Sequence, residues 1–441
     1  MTDITVKHLA TLSPADRAAL VRRSEADLSR FLDGAAAIIE EVRTGGDAAL
    51  VRLGRTLDHA EGLEASALRA TEAEVDRAFD SVPAEVIAAI EYGIANIRDF
   101  HREQVPEPMW LKEIRPGAFA GDRWTPITSV ALYVPRGKGA FPSVTMMTAV
   151  PAVVAGVPEA AIFTPPGPDG GVDAATLVAA RLAGVHTVYK CGGAQAVAAA
   201  ALGTETVRPA RKIVGPGSPW VVAAKRLLAD VIDTGLPAGP SEVVILADDT
   251  VHGGLAALDL LIEAEHGPDS SAWLVTPSER VMAEALEALP RHLAQMDPQR
   301  AGFARAVLGG PAGGIVLARD MADAIAFVNA YAPEHLEILS ETPFEYLGEI
   351  TEAAEILLGT RTPNAIANYV LGPNAVLPTS RGAATYGPLS VTDFMKRSSV
   401  GYVTAKGYDE MAARTRTLAA YEGFSSHANA VGPMRTAYLK R

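Results

Sequence analysis

The run Leu260-Leu261-Ile262-Glu263-Ala264-Glu265-His266-Gly267-Pro268-Asp269 holds the first residues whose spacing could do chemistry. An apolar helical run from Leu255 to Ile262 precedes them and Gly267-Pro268 ends it, which predicts Glu263 and His266 in the last turn of a helix. Residues three apart share a helix face, and a carboxylate and an imidazole pointing one way supply two of the four ligands that a zinc ion takes. Two ligands do not make a site. The same pair also reads as a solvated helix end, with His266 set against the negative end of the macrodipole. A second pair, Glu334 and His335, lies in Ala332-Pro333-Glu334-His335-Leu336-Glu337, directly after a predicted helix. Adjacent side chains diverge, so these two could serve separate proton transfers at one site. An ordinary loop glutamate beside a hydrogen-bonded histidine fits the same residues.

The elements that must position these groups follow from the pattern of apolar residues. Residues 29–99 read as helical, with Gly45-Gly46 as punctuation and Thr71 with Glu74 as a capping box. From Trp124 on, short β-rich runs alternate with helices: 129–134, 160–164, 187–191, 212–214, 242–247, 272–276, 314–318 and 354–359. Such alternation implies parallel βαβ units and an α/β fold. Ligands of such sheets bind outside the strand carboxyl ends. Two Gly-rich joints, Gly192-Gly193 and Gly215-Pro216-Gly217, could there offer backbone N–H groups to a phosphate. No Gly-x-Gly-x-x-Gly occurs, so these joints read equally as plain strand-to-helix turns. After about Ser380 a helix over 411–422 is expected, followed by a tail with Phe424, His427 and Met434, apolar enough to need a partner surface.

Composition narrows the function classes. The 441 residues allow two or three domains, and the chain is 49% hydrophobic but only 6% aromatic. A net charge of −13 with scattered basic residues argues against a nucleic-acid or anionic-membrane partner. The single cysteine, Cys191, leaves no disulfide or cysteine metal centre within the chain. No apolar signal core precedes Leu20, and a cytoplasmic location is expected.

Seven motifs, in order, resemble the histidinol dehydrogenase family, zinc-dependent and NAD-linked enzymes that oxidise an alcohol through an aldehyde to a carboxylate. They are Tyr133-Val134-Pro135, Gly192-Gly193-Ala194-Gln195-Ala196, Lys212 to Gly217, Ala238 to Glu242, Ala264 to Asp269, Ala332 to Glu337 and Val376-Leu377-Pro378-Thr379. The resemblance implies two Rossmann-like parallel-sheet domains, an N-terminal helical arm (1–26) and a C-terminal dimerisation tail (384–441) crossing to the other subunit of a homodimer. Residues 27–132 with 241–383 would carry the metal and catalytic groups, and 133–240 would bind NAD. Carried over position by position, the zinc ligands fall on Glu263, His266, Asn368 and His427, and the proton-transfer pair on Glu334 and His335. The NAD contacts fall on Tyr133, Gln195 and Ser218, and the substrate contacts on Ser241, His335 and Glu422, the last supplied by the neighbouring subunit.

The departures from the family pattern are informative. Glu263 stands where the family has Gln and Asn368 where it has Asp, so the ligand charge is kept and only its position moves. Ala375 replaces a His, Ser218 an Asn, and Ser380-Arg381 a Tyr-Gly. An added arginine fork favours an anionic head group over the cationic amine of histidinol. The resemblance therefore implies a paralogue acting on an anionic diol such as 2,3-dihydroxypropane-1-sulfonate, with Arg381 as a further substrate contact, although Arg381 reads equally as a solvated loop charge. The competing expectations are histidinol itself and a metal-binding homologue without catalysis.

Overall fold

The computed structural model describes residues 4–21, 28–136 and 139–439. Residues 1–3 and 22–26 of the expected arm, and Gly137-Lys138 of the joint after Pro135, lie outside the described residues. In chain order the strands are β1 (Val6–His8), β2 (Met109–Arg115), β3 (Ala118–Pro126), β4 (Ser129–Tyr133), β5 (Glu159–Thr164), β6 (Thr187–Lys190) and β7 (Lys212–Val214). They continue with β8 (Glu242–Ala247), β9 (Ser271–Thr276), β10 (Gly313–Leu317), β11 (His335–Leu339), β12 (Glu355–Leu358) and β13 (Met395–Val403). The chain divides into two compact units.

The first unit comprises the chain up to Val105 together with Ile127–Phe394. It contains a six-stranded sheet, β1-β10-β9-β8-β11-β12, and a four-stranded sheet, β6-β5-β4-β7. Every pairing in both is parallel, which confirms the α/β class read from the strand-helix alternation. Strands β8 to β11 are buried at every residue, as the largely apolar strands of a parallel sheet covered on both faces are. In the six-stranded sheet the chain leaves β8 for β9 and β10 on one side, then returns to β11 on the other. In the four-stranded sheet it makes the same reversal between β4 and β7.

The N-terminal helices break where the sequence punctuation indicated. The segment Ser29–Leu57 is interrupted at Gly46 (φ +51°, ψ −137°), where glycine alone adopts the backbone cheaply. Thr71 and Glu74 then open Glu72–Ser81 with the expected reciprocal capping box. Helix Ser29–Leu57 packs on the helices that follow β6 and β7, and Ala84–Arg102 packs on those that follow β4 and β5. The expected N-terminal helical arm is in part an edge strand, because Ile315 donates its N–H to the Thr5 carbonyl and Val6–His8 pairs with β10.

The second unit comprises Pro106–Pro126 and the chain from Met395 on. It is an antiparallel sheet, β13-β3-β2, which the strand pattern did not indicate. Three helices follow, Ala405–Tyr421, Ser425–Ala430 and Pro433–Leu439, the first starting six residues before the expected 411. All seven residues of β2 are exposed, as are Tyr402, Leu418, Tyr421, Phe424, Met434 and Tyr438. No described helix is long and apolar enough to cross a membrane.

Candidate active site

Helix Gly253–Ala264 runs between β8 and β9 and ends sooner than its sequence suggests. Glu265 is the C-cap, so Glu263 lies in the last turn and His266 just beyond it. The two still meet, His266 Nδ1 lying 3.1 Å from Glu263 Oε2, while the ring also lies 3.1 Å from the carbonyl of Ile262. Glu263 is buried, whereas the His266 side chain is 40% exposed. Asn368, on the short helix Asn364–Tyr369, donates Nδ2–H to Glu263 Oε1 at 2.8 Å, and the Ser241 side chain bonds the same carboxylate. Burial raises the Glu263 pKa, but His266, His335, Asn368 and Ser241 outweigh it and hold the carboxyl below its ordinary range. A buried carboxylate at the negative end of a helix, joined by an imidazole and an amide oxygen, is a donor set that suits a dication.

His335 is not a loop residue. Helix Met321–Tyr331 ends at Ala332 in the left-handed region (φ +52°), and His335 opens β11. Its ring is buried between two carboxylates: Nδ1 is 2.7 Å from Glu355 Oε2, and Nε2 is 3.9 Å from Glu334 Oε1. Glu334 therefore faces the reactive ring nitrogen instead of diverging from it. Burial lowers the His335 pKa, yet the Glu355 bond and the charges of Glu334 and Glu263 push it up to about 10. Glu334 Oε2 accepts the backbone N–H of Glu242 (2.8 Å), and Glu242 Oε1 accepts that of Ser380 (3.0 Å). This two-step chain ties the turn at Ser380 and Arg381 to Glu334 and so to the His335 ring beside it. Both residues have positive φ (+55° and +64°), a strained pairing for non-glycine residues. Arg381 is exposed, and its guanidinium has no partner among the described residues.

These groups gather at the amino ends of β8, β11 and β12, not at the carboxyl ends expected for a parallel sheet. The reason is geometric. A helix linking parallel strands runs back toward the strand starts, so the end of Gly253–Ala264 lies beside Ser241, Glu242 and His335.

The four-stranded sheet follows the carboxyl-end rule. Tyr133 ends β4, Gly192-Gly193 follows β6, and Gly215 to Gly217 follow β7 beside the reversal point. Gly193 donates its N–H to Tyr133 Oη at 3.1 Å. A Cβ on Gly215 (φ +117°) would lie 2.1 Å from the Tyr133 carbonyl, so the two strand ends are in backbone contact. Gln195 is buried, its Nε2–H bonded to Asp58 at 3.0 Å, and its Oε1 has no hydrogen-bond partner among the described residues. Burial lifts the Asp58 carboxyl to about 6. Ser218 precedes helix Pro219–Leu227 without bonding its N-terminus, leaving its hydroxyl uncommitted to capping. A glycine-lined strand end with an orphaned buried amide fits a dinucleotide.

Of the proposed site residues, Glu263, His266, Asn368, Ser241, Glu334 and His335 form one cluster, while Tyr133, Gln195 and Ser218 lie on the other sheet. Glu422 and His427 are exposed members of the second unit. Among the described residues no three His, Cys, Asp or Glu side chains converge as a metal centre. Sequence reasoning missed Glu355, whose signal was a charged residue inside the apolar run 354–359. It also missed the role of Glu242, Asp58, and the buried carboxyls Glu337 and Asp259, which face each other and are both held protonated more readily by burial.

An imidazole flanked by carboxylates offers a proton acceptor, and a separate glycine-lined strand end offers room for a dinucleotide. The histidinol dehydrogenase family model matches residues 21–435. A "histidinol dehydrogenase homolog" of Cereibacter sphaeroides is 73% identical over the full length of both chains. The histidinol dehydrogenase of Synechocystis sp. is 48% identical over 423 residues, 96% of this chain and 97% of that protein. The crystal structure of histidinol dehydrogenase from Elizabethkingia anophelis superposes with a TM-score of 0.91, at 30% identity, covering 99% of both chains. The chain belongs to the histidinol dehydrogenase family. Members are NAD-dependent dehydrogenases that oxidise in two steps and use NAD and zinc.

Proposed function

We propose that this protein oxidises a small anionic diol, 2,3-dihydroxypropane-1-sulfonate or a close analogue, through the aldehyde to the carboxylate. The observation that carries the substrate reading is the bonded path Glu334, Glu242, Ser380, which sets the Arg381 turn beside the catalytic pair with its guanidinium unpaired. A fork of donors at that lip matches a sulfonate. A relative at 73% identity is called a homolog of histidinol dehydrogenase, whereas a protein called histidinol dehydrogenase outright shares 48%. Histidinol is the alternative substrate, and an inactive metal-binding homologue is disfavoured by the buried Glu334–His335–Glu355 array, which binding alone does not need.

Glu263, His266 and Asn368 would hold zinc, with His427 as the fourth ligand. Tyr133, Gln195 and Ser218 would line the NAD site. When bound, zinc polarises the substrate oxygen and NAD takes up hydride in each oxidation. Within that frame His335 Nε2 accepts the alcohol proton, and later the proton of the aldehyde hydrate. Glu334, on the same side of the ring, takes a proton from the water that adds to the aldehyde. Ser241 orients the Glu263 carboxylate and the substrate hydroxyl. Glu263, once engaged as a metal ligand, would hold His335 less firmly in its protonated form, which would favour the neutral, basic imidazole.

The exposed apolar residues of the second unit support a homodimer in which the tail from about residue 384 supplies His427 and Glu422 to the other subunit's site. The substrate test is direct. Arg381→Ala should raise KM for the sulfonate diol at least about tenfold, as expected for one lost charge-assisted pair, with little change for uncharged diols. Turnover of histidinol in preference to the sulfonate diol would reverse the assignment.

A further inference from the structure

Glu355 has no part in the mechanism above, yet it makes the shortest contact to the group that does. Its carboxylate is buried on β12, where the only charged residue of the strand sits beside Ile356, Leu357 and Leu358. A carboxylate taken out of water is costly unless paired. Here, among the described residues, the hydrogen bond is to the imidazole: Oε2 lies 2.7 Å from His335 Nδ1, and Oε1 has no hydrogen-bond partner there. Strand register builds the contact. His335 and Glu355 are direct neighbours across the parallel β11–β12 pair, and the Glu355 N–H donates to the Glu334 carbonyl at 3.1 Å. Both side chains are 4% exposed, so water does not compete for the bond.

We propose that Glu355 is a positioning residue for His335, accepting its Nδ1–H and so fixing the ring plane and the tautomer that leaves Nε2 free to take the substrate proton. The inference rests on the reading of His335 as the proton acceptor. A neutral imidazole carries one proton. Held on Nδ1 by a carboxylate, that proton cannot move to Nε2 without losing a charge-assisted bond. The same arrangement orients the catalytic histidine of hydrolytic triads. A carboxamide in place of Glu355 can turn its NH₂ toward Nδ1, stabilising the opposite tautomer with Nε2 protonated and unable to act as a base.

The test compares zinc-loaded, full-length enzyme with Glu355→Gln, Glu355→Asp and His335→Gln, with rates expressed per zinc-bound site. Glu355→Gln should lower kcat between about tenfold and 10⁴-fold, the range spanned by outer-shell and triad carboxylates, with substrate KM within about threefold. Glu355→Asp, which keeps the charge, should recover part of that loss. A Glu355→Gln enzyme with wild-type kcat overturns the inference if His335→Gln is inactive. A kcat loss that vanishes on normalisation to zinc-bound sites, or one that Glu355→Asp fails to relieve, also overturns it and leaves a purely structural ion pair. An active His335→Gln enzyme instead refutes the reading of His335 on which the inference rests.

Discussion

Exchanging the two oxygen ligands offers a stringent test of the proposed metal site. Glu263 and Asn368 already touch, the amide donating to the carboxylate at 2.8 Å, so the site holds one carboxylate and one carboxamide within bonding distance. Glu263→Gln leaves two carboxamides, removes the only negative ligand charge, and should weaken zinc binding at least about 10²-fold, near 2.7 kcal/mol. Asn368→Asp sets two carboxylates together. Unit charges about 4 Å apart repel by ~4 kcal/mol at an effective dielectric near 20, so the metal-free variant should take up a proton. The double variant Glu263→Gln/Asn368→Asp restores one of each and should bind zinc within about tenfold of wild type, a strong coupling for touching residues. Competition with a chromophoric chelator reads the affinities, and thermal unfolding without metal controls for folding. The reasoning is refuted if the exchanged pair binds zinc no better than Glu263→Gln alone.

Two further outcomes are expected. Gly215→Ala forces an L-residue into φ +117° with its Cβ 2.1 Å from the Tyr133 carbonyl, and should cost at least about 2 kcal/mol in stability while weakening NAD binding, read by thermal unfolding and NADH fluorescence titration. In metal-free protein the His335 pKa is raised from 6.5 to about 10. A raised pKa contributes stability that is complete below the unfolded value and is lost as pH climbs through the folded one. The thermal midpoint should therefore fall between about pH 7 and pH 10 in wild type, and less steeply in His335→Gln.

Much of this site was legible because it is local. Glu263 with His266 and Glu334 with His335 are sequence neighbours, and the capping box at Thr71 and Glu74 is defined within four residues. What escaped is held together across the chain. Glu355 meets His335 only through strand register twenty residues away, and Glu242 reaches Ser380 over 138 positions. The placement at the strand amino ends was hidden because it depends on the return direction of the helix rather than on any residue type. The ribbon of β2, β3 and β13 gave no signal because all of β2 is exposed in this chain, so no buried face imposed an alternating pattern. Glu422 and His427 lie in the second unit, and their assignment rests on the resemblance alone.

The proposed reaction is a four-electron oxidation in which one site carries the alcohol to the acid. The decisive quantity is NADH formed per alcohol consumed, with 2,3-dihydroxypropane-1-sulfonate as substrate and the product quantified. A ratio of two is expected, with the carboxylate as product. A ratio of one, with aldehyde as the end product, would rule the four-electron reaction out.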